Sequence, residues 1–334
     1  MSKYQVIRMT LSGRIAWFIF AVALIGIVSM PWWASQGLIR DVVTLACYIA
    51  VAQMWNMLAG YGGLVSVGQQ AFVGVAAYAM FVLAQTYGVN PYSAVFISLL
   101  APAALAVPIY YLLHRLEGPY FAIGTWVVAE ALRLLATNMP MLNGGAGMSL
   151  RVMTQFSVHE RAIASSLLAA LLLLVTLGGS YLVLRSRYGI AMTAMRDNPA
   201  AAASQGVNVH RLRFYLFVAA AVGSGFAGAV YFMAQLRITP PSAFGMNWAN
   251  LAIFIVMVGG IGSLEGVLIG AVIFFFAERW FGEYGASYLI VLGLMTLACA
   301  LYFRGGLWGF YSRHFNAPWF PTRRHLVRNK GVVK

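Results

Sequence analysis

Long apolar runs, each about the length that crosses a bilayer, constrain this chain more than any other feature. A span needs about twenty apolar residues. Runs of that kind lie near residues 15–34, 39–58, 62–84, 92–113, 119–138, 161–184, 212–234, 248–264, 266–283 and 286–303. Backbone polar groups in lipid must be bonded within the protein, so such runs read as helices. The expected fold is an all-α integral membrane protein, a polytopic helical bundle of about ten transmembrane helices in one domain over residues 1–334. Only 9% of the residues are charged, against about a quarter in a soluble domain. The pair at 248–264 and 266–283 is short, with Gly259-Gly260-Ile261-Gly262-Ser263-Leu264-Glu265-Gly266 between them.

The polar breaks set the orientation. Ten spans with the N-terminus inside put sixteen of the 22 basic residues on the cytoplasmic side: Lys3, Arg8, Arg14, Arg115, Arg185, Arg187, Arg196, Arg211, Arg213, Arg304, Arg313, Arg323, Arg324, Arg328, Lys330 and Lys334. Arg40, Arg133, Arg151, Arg161, Arg237 and Arg279 stay outside. Nine spans would strand the basic tail at 304–334 on the wrong face, so the positive-inside rule favours an even number and cytoplasmic termini. The same distribution accounts for the net charge of +14, and no basic face with interleaved aromatics suggests nucleic acid. Lys3, Arg8 and Arg14 precede a long run that ends at Pro31-Trp32-Trp33, which reads as an uncleaved first span.

The longest polar break, 185–213, carries five arginines and one aspartate. Ile190 to Arg196 and Ala200 to Gln205 favour helix, and Gly206 ends the second run. Two short cytoplasmic helices form a surface that a soluble protein can grip. Lysine is nearly absent, so no G-x-x-x-x-G-K-[ST] loop exists, and a nucleotide would be bound by another chain. Two cysteines and five histidines lie scattered without metal-ligand spacing, and no nucleophile–base pair suggests catalysis.

Polar or glycine-rich stretches mark candidate functional positions. Gly60 to Gly74 includes Ser66, Gln69 and Gln70, which are costly against lipid. The stretch reads as a broken or re-entrant helix on a substrate path, or as close packing with the glutamines bonding a neighbour. Glu130 and Arg133 share one helix face; Glu130 is the chief carboxylate within a span, either functional or a structural partner of Arg133. Asn143 and its glycine neighbours form an outer loop, a gate or a plain connection. Gly262, Gly266 and Gly270 are spaced by four, a small-residue packing ladder.

In this order, these stretches resemble the permease subunits of branched-chain amino-acid ABC importers, in particular the M-type subunit. The matching residues are Gly60-Tyr61-Gly62-Gly63-Leu64-Val65-Ser66-Val67-Gly68-Gln69-Gln70-Ala71-Phe72, Gly118-Pro119-Tyr120-Phe121 leading to Glu130 and Arg133, Asn143-Gly144-Gly145, Ser186-Arg187-Tyr188-Gly189 leading to Arg196-Asp197-Asn198, and Met257 to Leu264. The resemblance implies an ABC-importer permease fold and uptake of branched-chain amino acids across a bacterial inner membrane. It also implies two ATPase subunits that bind the ATP, a second permease and a periplasmic binding protein. Within it, Arg187, Tyr188, Gly189, Arg196, Asp197, Asn198, Ala201, Ala202 and Gly206 correspond to the coupling helix that seats in the ATPase. Pro199 and Ala203 stand where the family often has glutamates, which leaves Arg196, Asp197 and shape to make that contact. Urea, short amides or sugars as cargo, and a passive channel or ion-coupled transporter, remain alternatives.

Overall fold

The computed structural model describes residues 4–7, 11–303, 305–315, 319–320 and 325–328. Among them, eight helical stretches are long and apolar enough to cross a membrane. Two further helices complete the expected alternation. One, α3 (Gln69–Gln85), has 17 residues. The other, α14 (Leu264–Phe281), is of spanning length but carries Glu265, Glu278 and Arg279.

Taken in order, α1 (Leu11–Ser29) leads to α2 (Gln36–Asn56), which runs into a π-turn at Met57–Tyr61. After α3 come α4 (Pro91–Ile97) and α5 (Leu100–Leu113), bent at Ser98, and then α6 (Pro119–Asn138). The next crossing is α7 (Val158–Leu173), a second π-turn at Leu174–Gly178, and α8 (Gly179–Arg185). Two short helices follow, α9 (Arg187–Asp197) and α10 (Pro199–Ser204), before the longest helix, α11 (Val209–Gln235). A one-turn α12 (Pro240–Phe244) precedes α13 (Asn247–Gly259), and α14 leads to α15 (Ala286–Tyr302) and α16 (Gly306–Phe315).

The two ends of the chain meet. Strand β1 (Tyr4–Ile7) and a C-terminal strand (His325–Arg328) pair antiparallel, Tyr4 opposite Arg328. Both termini therefore lie on one face, as an even number of crossings requires. On the opposite face a two-residue ribbon pairs Met148–Ser149 with Arg237–Ile238. The other expected tail positions, including Arg304, Arg323, Arg324, Lys330 and Lys334, and also Lys3 and Arg8, lie outside the described residues.

Small residues set the core. α11 packs most extensively on α3 and α2, and Ala220, Ala221, Gly223, Ser224, Gly225, Ala227, Gly228 and Ala229 are all buried along it. In lipid no hydrophobic force drives helices together, so close backbone approach through small residues does the work. A Cβ at Gly228 would overlap the Val73 carbonyl of α3.

The α13–α14 hairpin uses the same device and corrects the expected ladder. Gly266 and Gly270 lie in α14 against Gly259 and Ile255 of α13. Gly262 is not part of that stripe. It sits in the turn before α14 with φ +74°, and its N–H donates to Asn56 Oδ1 at 2.8 Å. Spacing by four implies one helix face only where the helix is continuous, and here it starts at Leu264.

Candidate coupling site

The run expected over 62–84 begins as helix only at Gln69, because residues 62–68 form an irregular turn, buried except at Gly63, Val65 and in part Val67. Its polar backbone is bonded within the protein, as membrane depth demands. Trp55 Nε1 donates to the Ser66 carbonyl at 2.6 Å, and the Val67 N–H donates to Thr125 Oγ1 at 3.0 Å. The Gly68 N–H donates to Ser66 Oγ at 3.2 Å. Gly68 is pressed on the Thr125 backbone of α6, where a Cβ would overlap.

A second glycine turn, Gly260 to Ser263, lies against the π-turn at Met57–Tyr61 that leads into the first. Asn56, fully buried, joins them: its Oδ1 accepts from Gly262 N, and its Nδ2 donates to the Ser263 carbonyl at 3.0 Å. The backbones touch so closely that a Cβ at Gly60 would lie 2.6 Å from Gly262 N.

The 185–213 loop rests on this pair of turns. Local capping shapes it. Ser186 Oγ accepts from Tyr188 N and starts α9, and Asn198 Oδ1 accepts from Ala201 N and starts α10, with Pro199 in the first turn where it needs no donor. Gly206, at φ +85°, ends α10, and the Gly206 and Val207 N–H groups donate to the Ala203 and Ala202 carbonyls. Gly189, Met192, Met195 and Ala202 are buried toward the bundle, while Arg187, Tyr188, Ile190, Asn198, Pro199 and Ala201 are exposed. Arg196 faces the glycine turns. Its Nη1 donates to the Gly60 carbonyl at 2.7 Å and its Nε to Asp197 Oδ1 at 2.9 Å. Arg196 is thus bonded both to Asp197 and to the bundle, while the exposed Arg187 and Asp197 keep charge on an outward surface otherwise made of apolar and small residues.

The five expected path residues do not converge. Ser66, Gln69 and Gln70 are buried around the first turn; Gln69 Oε1 accepts from Ser224 Oγ of α11 at 3.0 Å, and Gln70 Nε2 donates to the Val67 carbonyl. Glu130 accepts two bonds from Arg133 Nε, at 3.0 and 2.9 Å, with its side chain 40% exposed on the flank of α6. Asn143, at φ +66°, closes a turn on the far face by donating to the Gly147 carbonyl. None of the five lines the cavities of about 830 and 700 Å³.

Several features escaped the sequence. Asn56 follows Gln53 at the end of an apolar run, and only its position just before Gly60 hints at a role. Glu130 is not the most enclosed carboxylate, because Glu265 is 4% exposed and accepts from Phe320 N at 2.7 Å. The histidines are not all scattered: His114 and His210 have ring centroids 5.1 Å apart, beside Tyr110, whose hydroxyl donates to the His210 carbonyl at 2.8 Å. The 830 Å³ cavity, almost wholly apolar, runs from α7 and α11 to Tyr188 and Met192 of α9.

An all-helical bundle of membrane-spanning segments, with a two-helix loop seated on paired glycine turns at one face, defines a transport permease rather than an enzyme. The chain belongs to the family described as the branched-chain amino acid transport system permease component, whose match covers residues 37–300. It is 29% identical over 310 residues to the high-affinity branched-chain amino acid transport system permease protein LivM of Escherichia coli, covering 84% of this chain and 72% of that one. A shorter match, 31% identical over 156 residues, is to the autoinducer 2 import system permease protein LsrC of Klebsiella pneumoniae, covering 42% of this chain and 45% of that one. A probable branched-chain amino acid transport permease protein LivH of Methanocaldococcus jannaschii is 23% identical over 235 residues, covering 66% of this chain and 72% of that one. No solved structure matches the chain.

Proposed function

We propose that this chain is the M-type permease half of an ATP-driven importer for branched-chain aliphatic amino acids in a bacterial inner membrane. The face with the chain termini and the 185–213 loop is cytoplasmic. A second permease completes the pathway, two ATPase subunits bind the ATP, and a periplasmic protein delivers substrate to the far face.

The observation that carries this reading is the seating of α9 on the glycine turns through Arg196 and Gly60. A partner that grips the exposed side of α9 and α10 moves a guanidinium bonded to the end of α2. Through Asn56, that end is bonded to the start of α14. A two-state ATPase that contacts the loop differently in its two states then shifts the bundle between its own two arrangements.

The test is ATP-dependent leucine uptake by the chain co-purified and reconstituted with its partners, with urea, short amides and sugars as competitors. Co-purification of two ATPase subunits and a second permease, lost in Gly206→Glu, supports the reading. Recovery of the chain alone, with uptake that follows an ion gradient, overturns it.

A further inference from the structure

On the face away from the coupling loop, a cavity of about 700 Å³ opens between α2, α11, α13, α14 and α15. Its aromatic wall is ordered. Tyr231 and Trp248 meet edge to face with ring centroids 4.9 Å apart, and Tyr48 stands 6.2 Å from Trp248. Tyr48 and Trp248 are buried, 6% and 5% exposed, so these rings are not a membrane-interface belt. Trp32, Trp33, Trp280 and Tyr284, all exposed, are placed as such a belt.

Glu278 lines the same cavity, close to the Tyr48 hydroxyl. No cation neutralises it among the described residues. The ion pairs there are Glu130–Arg133, Asp197–Arg196 and Asp41–Arg279, so the adjacent Arg279 is turned to α2. A carboxylate in a spanning segment is expensive unless something completes it. The two oxygens of a carboxylate can accept about four bonds, and a single tyrosine hydroxyl could fill only one of them. Tyr288, across the cavity on α15, has a buried hydroxyl with no partner.

A carboxylate set among aromatic faces is the chemistry that selects an ammonium ion, by charge and by the ring quadrupole. The rest of the wall suits the other parts of an amino acid. Asn247 and Asn250, three apart in the first turn of α13, offer amide donors near the positive end of a helix. Leu251, Phe254 and Leu292 supply apolar area.

We infer that this cavity binds an aliphatic amino acid, with Glu278 and the rings of Tyr48, Tyr231 and Trp248 holding its ammonium group. The choice of an amino acid over a plain amine rests on the transport reading above, whereas the cation site does not.

The test is equilibrium binding to the full chain in lipid nanodiscs, without the ATPase. The probes are leucine, 3-methylbutylamine, which lacks the carboxylate, and 4-methyl-2-oxopentanoate, which lacks the ammonium. Leucine and the amine are expected to bind and the keto acid to bind at least about tenfold more weakly. Glu278→Gln is expected to weaken both ammonium ligands about 10- to 100-fold, the range of a lost charge-assisted bond. Gly293→Leu provides a second variant: a Cβ there meets nothing within 4 Å, and the longer side chain fills the cavity from α15. It is expected to abolish binding without loss of monodisperse protein. Arg196→Ala, which acts on coupling, is expected to leave binding unchanged. Equal binding of the keto acid, unchanged leucine binding in Glu278→Gln and Gly293→Leu, or no binding by the unaltered chain, would overturn the inference. Binding of the amine without any ATP-driven leucine uptake would instead remove the transport reading and leave the cation site standing.

Discussion

Arg196 on α9 donates from Nη1 to the carbonyl oxygen of Gly60 at 2.7 Å, across 136 positions of sequence. That bond ties the soluble-facing loop to a point where two partly buried glycine turns meet. It makes Arg196 a positioning residue for the bundle rather than a contact for a partner.

Arg196→Ala is expected to preserve ATP hydrolysis by the assembled importer and to lower leucine uptake about tenfold or more, from loss of a charge-assisted bond. Arg196→Lys should fall between, since an ammonium cannot bond Gly60 and Asp197 with one rigid fork. The readout is ATP hydrolysed per leucine taken up. An unchanged ratio in Arg196→Ala would remove the coupling role.

Asn56 offers a sharper stability test. Asn56→Ala leaves the Gly262 N–H and the Ser263 carbonyl without their partner in a half-buried turn, at up to about 1–3 kcal/mol for each group left unsatisfied. Thermal unfolding in detergent should show a clear drop. Asn56→Asp keeps the acceptor for Gly262 but turns an oxygen on the Ser263 carbonyl, and should not rescue.

Glycine substitutions should separate by position. Gly270→Ala places a methyl on the Ile255 carbonyl and is expected to lower the melting point and the yield of folded protein. Gly179→Ala meets nothing within 4 Å inside a helix and is expected to be neutral or to stabilise by up to about 1 kcal/mol. Similar losses in both would argue against the close approach of α13 and α14.

The Glu130–Arg133 pair calls for a double-mutant cycle. Glu130→Ala leaves Arg133 unpaired on the flank of α6, so the single variant should be less stable than Glu130→Ala with Arg133→Ala. Additive losses would show that the two side chains act independently.

Much of the architecture was legible in local pattern. Runs of about twenty apolar residues gave nearly all the helices, and the charge of the breaks required an even number of crossings, which the β1 pairing of the two termini matches. Caps at Ser186, Asn198 and Gly206 marked the two loop helices, because capping depends on residues within one turn. What the sequence by itself determined was therefore the succession of helices and breaks, each set by hydropathy and near neighbours. The tertiary structure alone decided that Asn56 clamps a turn more than 200 positions away, that Arg196 points at Gly60, that Gly262 leaves the packing ladder, and that Glu278 rather than Glu130 stands in an aromatic cavity. The physical reason is that spans apolar on every side carry little record of which face meets which helix. Those contacts follow from backbone approach at small residues far apart in the chain, a property of the packed bundle and not of any one segment.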